Sequence, residues 1–397
     1  MGVWQEGWLN FWKQLRARLL GFSNEKAVEE IRSLLRDLLQ RERAAAPDLH
    51  ELQADDRRLY EQIKASTEVH NRNNITRTAA YFEVYLRSPN LHWALLAHMV
   101  SRNGGYSMTD LRGDLIGRVM DKGEAEHFFQ FLERANWLIF GDAYPQLLLY
   151  EASVATGKPL FHLLPYFGVS RFMSLLWERF WETGDQELLT LALIVNEQNY
   201  IEHRVVQHPG YKPVIESFEF QAQTYLNLTQ VAIPYRSTAN SIELAGCVVD
   251  TFLSLTERID TGRRLYAILF GRPEVLDGVI KFATTTPHSG SRADYCPDLY
   301  TARKPIRSSK RYYPRVDGLR LRPGAKPIYS PRLEDCWPDV TTPEAAGNTD
   351  WCCSADVAEQ LFSSKPSADF NITKRYGKTL MLVEKAVAAE SWINAKK

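Results

Sequence analysis

The sequence lacks the short patterns that identify the most common catalytic and nucleotide-binding sites. It has no phosphate-binding G-x-x-x-x-G-K-[ST] loop, no zinc-binding H-E-x-x-H pair, no C-x-x-C pair and no G-x-S-x-G nucleophile elbow. These absences exclude the P-loop proteins, metalloproteases and hydrolases that depend on those patterns. Any site in this chain must be assembled from residues that lie far apart in the sequence.

Long apolar runs and cysteine pairs are also missing. No stretch approaches the roughly 18 uninterrupted apolar residues that span a bilayer, and the N-terminus has no continuous apolar segment typical of a secretory signal. The cysteines number 5, an odd count without metal-ligand spacing. We therefore predict a cytoplasmic protein whose thiols are reduced.

The chain has no excess charge of either sign, because 48 basic residues balance 48 acidic ones. Its overall charge therefore gives no indication of nucleic-acid or membrane binding. Locally the balance fails, since residues 303–332 hold ten basic residues and one acid. We favour the interpretation that this segment neutralises an acidic face of its own protein over contact with an external polyanion. Nucleic acid is the weakest option.

Apolar residues at helical spacing run through most of the sequence. With 45% apolar residues in a chain of 397, a large core can form without disulfides or metals. We predict a mainly α fold, a multi-helix globular body with a long irregular, basic C-terminal wrap. The predicted helices cover residues 25–44, 57–69, 73–87, 90–103, 122–140, 143–156, 169–183, 186–207, 242–260, 262–270, 272–284, 354–363 and 375–394. Residues 218–234 fit either a helix or a strand.

Composition divides the chain into three parts. Residues 1–56 form an amphipathic N-terminal helical arm, and residues 57–284 form the helical body. Residues 285–397 are an irregular basic segment followed by C-terminal helices packed on the body. The aromatic content of that segment, Tyr295 and Trp337 included, favours an ordered wrap over a free tail.

Residues 3–22 form one amphipathic helix in this interpretation. Trp4, Trp8 and Trp12 recur at a spacing of four and share its apolar face. Such a face suits the surface of a membrane, where tryptophan rings sit at the depth of the headgroups. It equally suits docking on the protein core, which we favour.

Four stretches resemble an uncharacterised protein family of spore-forming, Gram-positive bacteria, a domain of unknown function. They are NNITRTAAYFEVYLRSPNLHWALLAHMVSRNGGYSMTDLRG (73–113), FLERANWLIFGDAYPQLLLYE (131–151), ALIVNEQNYIEHRV (192–205) and TPHSGSRADYCPDLY (286–300). The resemblance covers residues 59–340 in the same order. It implies a cytoplasmic bacterial protein, and it brings no activity, cofactor or catalytic residue with it.

Three polar groups are candidates for one ligand site. His98 and Arg102 lie one turn apart on an apolar helix, and His288 and Arg292 lie in an irregular stretch. The third group, at the end of a very apolar helix, consists of Asn196, Asn199 and His203. Because buried polar groups need partners, we predict that the three segments share a partly open pocket. Arg102 and Arg292 would supply positive charge to an anionic ligand there. The alternative is a structural network.

Other polar residues favour structural roles. Asn73 or Asn74 can cap a helix whose Arg77 forms a salt bridge. The hydroxyl, imidazole and carboxyl groups of residues 288–294 suggest a nucleophilic triad, but a turn held by an Arg292–Asp294 pair is favoured. The only E-x-x-H pattern typical of di-iron bundles is Glu124 with His127, and we predict no metal.

Two classes of function stay open. One is a non-catalytic helical scaffold or partner-binding protein, peripheral to a membrane if residues 3–22 anchor it. The other is an enzyme or small-molecule binder whose anionic-ligand pocket is lined by histidine, arginine and asparagine. The sequence identifies no cofactor, partner or oligomeric state.

Overall fold

Helices account for most of the secondary structure, as the apolar periodicity predicts. The computed structural model describes residues 25–41, 47–213, 230–239, 241–248, 253–305, 311–340, 350–362 and 369–394. The amphipathic helix predicted at 3–22 lies outside these residues. Among the described helices, none is long and apolar enough to cross a membrane.

The α-helices follow one another with short connections. In chain order they are α1 (Glu25–Gln40), α2 (Ala54–His70), α3 (Asn74–Arg87), α4 (His92–Asp110), α5 (Ile116–Val119), α6 (Lys122–Thr156), α7 (Arg171–Thr183), α8 (Gln186–Ile201), α9 (Leu255–Phe270), α10 (Pro273–Thr285), α11 (Leu333–Cys336) and α12 (Thr373–Asn394). A π-helical turn, Glu202–Val206, continues α8. Short 3₁₀ helices lie at Leu49–Glu51, Phe161–Phe167, Arg292–Asp294 and Ala355–Leu361.

Strands are few and small. The strands β1 (Gln230–Arg236) and β2 (Ile242–Val248) form an antiparallel hairpin. Two further pairs have two residues in each strand. They are β3 (Tyr300–Thr301) with β6 (Ile328–Tyr329), which is parallel, and β4 (Val316–Asp317) with β5 (Arg320–Leu321), which is antiparallel. The predicted mainly α class is confirmed.

Local sequence sets several helix ends. Asn73 caps α3 in a capping box, accepting a hydrogen bond from the Thr76 backbone while the Thr76 side chain accepts one from the Asn73 backbone. The Asp185 side chain caps α8, and Pro273 begins α10, where its missing N–H costs nothing. The predicted starts of these helices are correct within one residue, because caps act over a few neighbouring residues.

Three local predictions are wrong. Helix α6 is continuous, although it contains Pro145. Burial of large side chains on both sides of Pro145, each contributing about 1.5–3 kcal/mol, offsets the roughly 3 kcal/mol that a proline costs inside a helix. Helix α4 passes through Gly104 and Gly105 instead of ending there. Residues 242–248 form a strand instead of the start of a helix, since short apolar runs fit both periods.

The second glycine of that pair permits a close contact. A Cβ atom on Gly105 would lie 2.2 Å from Asn74 Oδ1 and 2.6 Å from His288 Nε2. On Gly104 it would meet nothing closer than 3.9 Å. Gly105 is therefore required by packing across α4, and not as a helix stop.

The C-terminal wrap is ordered where it is described. Tyr295, Tyr300, Tyr312 and Trp337 are buried. One hydrophobic cluster includes Val28 of α1, the central helices and Tyr376 of α12. Core residues from all three parts of the predicted division belong to this cluster, and the division itself stays a prediction.

Candidate functional site

Arg102 of α4 is tied to the segment that follows α10, residues 286–295, which we call the strap. Its guanidinium donates hydrogen bonds to the backbone carbonyls of Thr286 at 2.8 Å and Pro287 at 3.4 Å. It also lies 4.7 Å from the centre of the Phe282 ring. Only 1% of Arg102 is exposed. Its guanidinium therefore donates to the protein's own backbone and is not available to a ligand.

His288 of the strap joins α3. Its Nε2 lies 2.9 Å from Asn74 Oδ1, and Asn74 Nδ2 donates to the Ser101 carbonyl. Because Asn74 Oδ1 can only accept, Nε2 of His288 carries the proton. Burial lowers the pKa of His288 to about 4, so the ring is neutral at pH 7.

The favoured Arg292–Asp294 pairing is wrong. Asp294 accepts hydrogen bonds from the backbone and hydroxyl of Ser289, at 2.8 and 2.5 Å. The Ser289 hydroxyl therefore points at the carboxylate instead of the imidazole of His288, which is not the geometry of a nucleophilic triad.

Arg292 pairs with Asp110, the last residue of α4. Its Nε and Nη2 donate to the carboxylate at 2.6–2.9 Å, and its Nη1 donates to the hydroxyls of Tyr295 and Tyr376 at 2.5 and 3.1 Å. Burial alone would lower the pKa of Arg292, but the charge of Asp110 outweighs it and the pKa is raised. We call this set, Arg102, Asp110, His288, Arg292 and Asp294 with their tyrosines, the strap network.

His98 lies at the edge of the same region. Its Nδ1 donates to the Thr78 carbonyl at 2.8 Å, and its ring stacks on Phe82. Burial, followed by the charge of Arg102, holds the pKa of His98 well below its usual range. Its Nε2 is buried and, within the described residues, accepts no hydrogen bond.

Asn196 belongs to a different cluster. Its Nδ2 donates to Asp142 at 2.6 Å, while its Oδ1 accepts from Ser170 and from the Trp351 indole. Gln146 donates to the same carboxylate at 2.9 Å. Burial raises the pKa of Asp142 to about 7 and outweighs the hydrogen bonds of Asn196 and Gln146 and the charge of Arg204, which lower it.

Asn199 and His203 also lie outside the strap network. Asn199 donates to Gln360 at 2.9 Å, and His203 is exposed on the π-helical turn. Of the seven candidate residues, the structure brings His98, Arg102, His288 and Arg292 together around α4. It places Asn196 and Asn199 with other partners. That any of them binds a ligand stays a prediction.

A cavity of about 190 Å³ lies between α3, α4, α6, α8, α9 and β1. Its apolar lining consists of Tyr81, Trp93, Leu96, Ala97, Val100, Ile139, Val231, Gly262 and Leu265. Its polar lining consists of Arg77, Ser101, Asn136, Glu197, Gln198, Arg258 and Thr261. A cavity of roughly 150 Å³ holds a benzene molecule, so this one accommodates a slightly larger ligand.

Two polar atoms of the lining are buried without a partner. Arg77 Nη2 pairs with Glu133 at 2.5 Å, which confirms the predicted salt bridge, but Arg77 Nε has no acceptor in the described part of the chain. The Thr261 hydroxyl likewise finds no partner there. An unmade hydrogen bond of this kind costs about 1–3 kcal/mol, and such atoms are typical of sites completed by another molecule.

Glu197 presents a carboxyl group to the cavity. It accepts hydrogen bonds from Gln198 and Trp93, which lower its pKa, but burial dominates and raises the pKa to about 7. Arg258 donates to Gln198 and pairs with Glu202, so its charge is balanced beside the cavity. The Glu197 carboxyl therefore keeps its proton to a higher pH than an exposed glutamate does.

The sequence analysis did not name Glu197, Arg258 or Thr261 as site residues. Glu197 belongs to the polar stretch at the end of an apolar helix that supplied the candidates Asn196, Asn199 and His203. Thr261 gives no signal, because a threonine in an amphipathic helix is ordinary. Among the described residues, no group of three or more histidine, cysteine, aspartate or glutamate side chains could hold a metal.

Comparison with known proteins gives the family. A family model described as a protein of unknown function, DUF2515, matches residues 69–371. The chain belongs to this family. It is 40% identical over 296 residues to the uncharacterized protein YppC of Bacillus subtilis (strain 168), a match covering 74% of this chain and 83% of YppC. No solved structure matches the chain. The family assignment from the sequence is thus confirmed.

Proposed function

We propose that the protein binds a small organic amine in the cavity beside Glu197. The observation that carries this proposal is the carboxyl group of Glu197, whose pKa burial raises to about 7 and which lines a mainly apolar cavity. An ammonium group placed against Glu197 would favour the carboxylate and form a charge-assisted hydrogen bond.

The lining supports an amine with an apolar body. Tyr81 and Trp93 line the cavity, and aromatic rings attract cations as well as apolar groups. Leu96, Ile139 and Leu265 supply aliphatic surface. A ligand the size of a substituted benzene fits the volume.

The charges around the cavity favour a cation over an anion. Arg77 pairs with Glu133, and Arg258 pairs with Glu202, so each cation is balanced by its own glutamate. Glu197 has no cationic partner among the causes that set its pKa. Once Glu197 ionises, this group of five side chains carries one net negative charge. This reverses the anionic-ligand hypothesis drawn from the sequence.

The test is a matched series of probes that differ mainly in charge: benzylamine, benzyl alcohol and benzoate. We expect benzylamine to bind about tenfold more tightly than benzyl alcohol, since a charged hydrogen bond contributes about 1.5–3 kcal/mol. Benzoate should bind most weakly. Calorimetry or thermal shift measures the order. Binding of benzylamine should strengthen as the pH rises through about 7, where Glu197 loses its proton.

Two variants separate the site from nonspecific effects. Glu197→Gln should remove both the preference for the amine and the pH dependence, whereas Glu182→Gln on the surface of α7 should change neither. Ala97→Leu, which fills the cavity, should weaken all three probes. Equal binding of benzoate and benzylamine, or full binding by Ala97→Leu, would contradict the proposal.

We further propose a cytoplasmic location. The chain has an odd number of cysteines and no C-x-x-C pair, which supports a reducing compartment. Localisation of a tagged full-length chain by cell fractionation tests this.

A further inference from the structure

The outer face of α12 combines positive charge with exposed apolar side chains. Lys374, Lys378 and Lys385 are exposed on it, as is Arg375. Leu382 and Ile393 are 53% and 60% exposed. At 3.6 residues per turn these residues fall within about 100° of the helix circumference, so they form one continuous stripe.

The C-terminal end of this stripe is aromatic. Trp392 is 39% exposed and packs edge-on against Tyr313, with 5.8 Å between the ring centres. The Arg311 guanidinium lies 4.5 Å from the Trp392 ring centre, and Tyr313 is itself 58% exposed. We call the stripe with Arg311 and Tyr313 the α12 surface.

The inner face of α12 fixes this orientation. Tyr376, Leu380, Val383 and Val387 are buried on it. Glu384 points inward and accepts hydrogen bonds from the Tyr312 hydroxyl at 2.5 Å and the Val316 backbone at 2.9 Å. The helix therefore cannot rotate to bury Leu382 and Ile393 without leaving a carboxylate unpaired, which costs several kcal/mol.

We propose that the α12 surface binds an anionic lipid membrane as a peripheral contact. Lysine and arginine side chains are attracted to a negatively charged leaflet. Tryptophan and tyrosine favour the headgroup depth, and exposed aliphatic side chains enter the acyl boundary. The α12 surface presents all three kinds of group on one side of a fixed helix.

Charge and apolar exposure together favour lipid over the other polyanions. A nucleic acid offers phosphates for the lysines and bases for the aromatic rings, but no partner for Leu382 and Ile393. A second copy of the chain would bring the same positive charges against each other. Asp317 is the one exposed acid in the β4–β5 hairpin that packs against α12, and Glu390 is the only partly exposed acid on α12 itself.

The experiment uses the full-length chain and vesicles of two compositions, with and without phosphatidylglycerol in phosphatidylcholine. We expect co-sedimentation with the anionic vesicles only. Lys378→Glu/Lys385→Glu should weaken it by at least about tenfold, since two positive charges are lost near the surface. Leu382→Glu/Ile393→Glu should weaken it by a similar factor. Melting curves establish that each variant is folded.

Matched controls carry the same changes elsewhere. Lys64→Glu/Lys122→Glu alters two other exposed lysines, and Val69→Glu/Leu86→Glu alters two apolar side chains that are 68% and 55% exposed. Both controls should bind the anionic vesicles like the wild type. An equal loss in the controls would show a nonspecific charge effect and overturn the proposal.

Other results would also overturn it. Equal binding to neutral vesicles would show that the lysines do not contribute to membrane binding. If Trp8→Glu abolishes vesicle binding and the α12 variants retain it, the membrane contact lies in residues 3–22. Tight binding of an oligouridylate without binding of vesicles would assign the surface to nucleic acid. Dimerisation lost in the Leu382→Glu/Ile393→Glu variant would assign it to a second copy.

Discussion

The strap network and the cavity beside Glu197 use similar residues and differ in how completely those residues are paired. Both contain buried arginines, carboxylates, tyrosines and hydroxyl groups within the central helices. In the strap network Arg292 has acceptors for Nε, Nη1 and Nη2, and Arg102 donates to two strap carbonyls. In the cavity, Arg77 Nε and the Thr261 hydroxyl have no partner within the described residues.

The difference separates a structural network from a binding site. A saturated network gains nothing from a ligand, because every donor already has an acceptor. A site with unmade hydrogen bonds lowers the stability of the protein until a bound molecule makes them. Residue type is therefore a poor guide to a site, and unmade hydrogen bonds around an open volume are a better one.

The largest effect should come from removing the anion of the strap network. Asp110→Ala leaves the buried Arg292 without its carboxylate and should lower the free energy of unfolding by about 3–5 kcal/mol. Urea denaturation measures it. The control Asp55→Ala breaks an ion pair with Arg58 in which both side chains are mostly exposed, and it should cost less than about 1 kcal/mol. Equal costs would mean that Arg292 is not buried as described.

Replacing each of the two glycines of α4 by alanine should change the stability of the protein in opposite directions. Gly105→Ala places a Cβ atom against Asn74 and His288 and should destabilise the protein by about 1–3 kcal/mol through overpacking. Gly104→Ala makes an ordinary van der Waals contact with Asn136 at 3.9 Å and should stabilise the helix by about 0.5–1 kcal/mol. Thermal melts of the two variants give the signs. A stabilising Gly105→Ala would mean that the strap does not lie against α4.

The smallest effect compares one hydroxyl group from each region. Thr109 of α4 donates to the Gly290 carbonyl of the strap at 2.6 Å, so Thr109→Val should cost about 1–2 kcal/mol. Thr261→Val removes a buried hydroxyl that has no partner within the described residues and should stabilise the protein by about 1 kcal/mol. Paired chemical denaturation curves measure both. A loss of stability in Thr261→Val would show that its hydroxyl is already satisfied, by water or otherwise.

The predicted helices agree with the structure where a capping residue or a proline determines where the helix begins. The starts of α3, α8 and α10 follow from Asn73, Asp185 and Pro273 and are correct. The break predicted between residues 140 and 143 is absent, because burial along α6 outweighs its proline. The strand β2 was predicted as a helix. Its pairing with β1 is an interaction between two segments of the chain, and the spacing of apolar residues within one segment does not reveal it.

The candidate site was predictable only in part. Arg102 and His288 were expected to lie near each other, and they meet across α4, although their polar atoms serve the protein itself. The expected neighbours of Asn196 were the polar residues of α4 and of the strap. The structure gives it Asp142, Ser170 and Trp351 instead. The packing angle between two helices depends on the side chains of both. The sequence of one buried helix therefore does not predict which neighbour each of its faces contacts.

The sequence by itself determined the mainly α class, the main helix caps, the buried ion pair of Arg77 and the family. Each of these rests on spacing, capping chemistry or extended similarity along the chain. Tertiary structure alone decided that Arg102 and Arg292 are neutralised from within, that Glu197 faces a cavity, and that α12 turns its lysines outward. The reason is physical: pairing, enclosed volume and the pKa of a buried acid depend on groups brought together from distant parts of the chain.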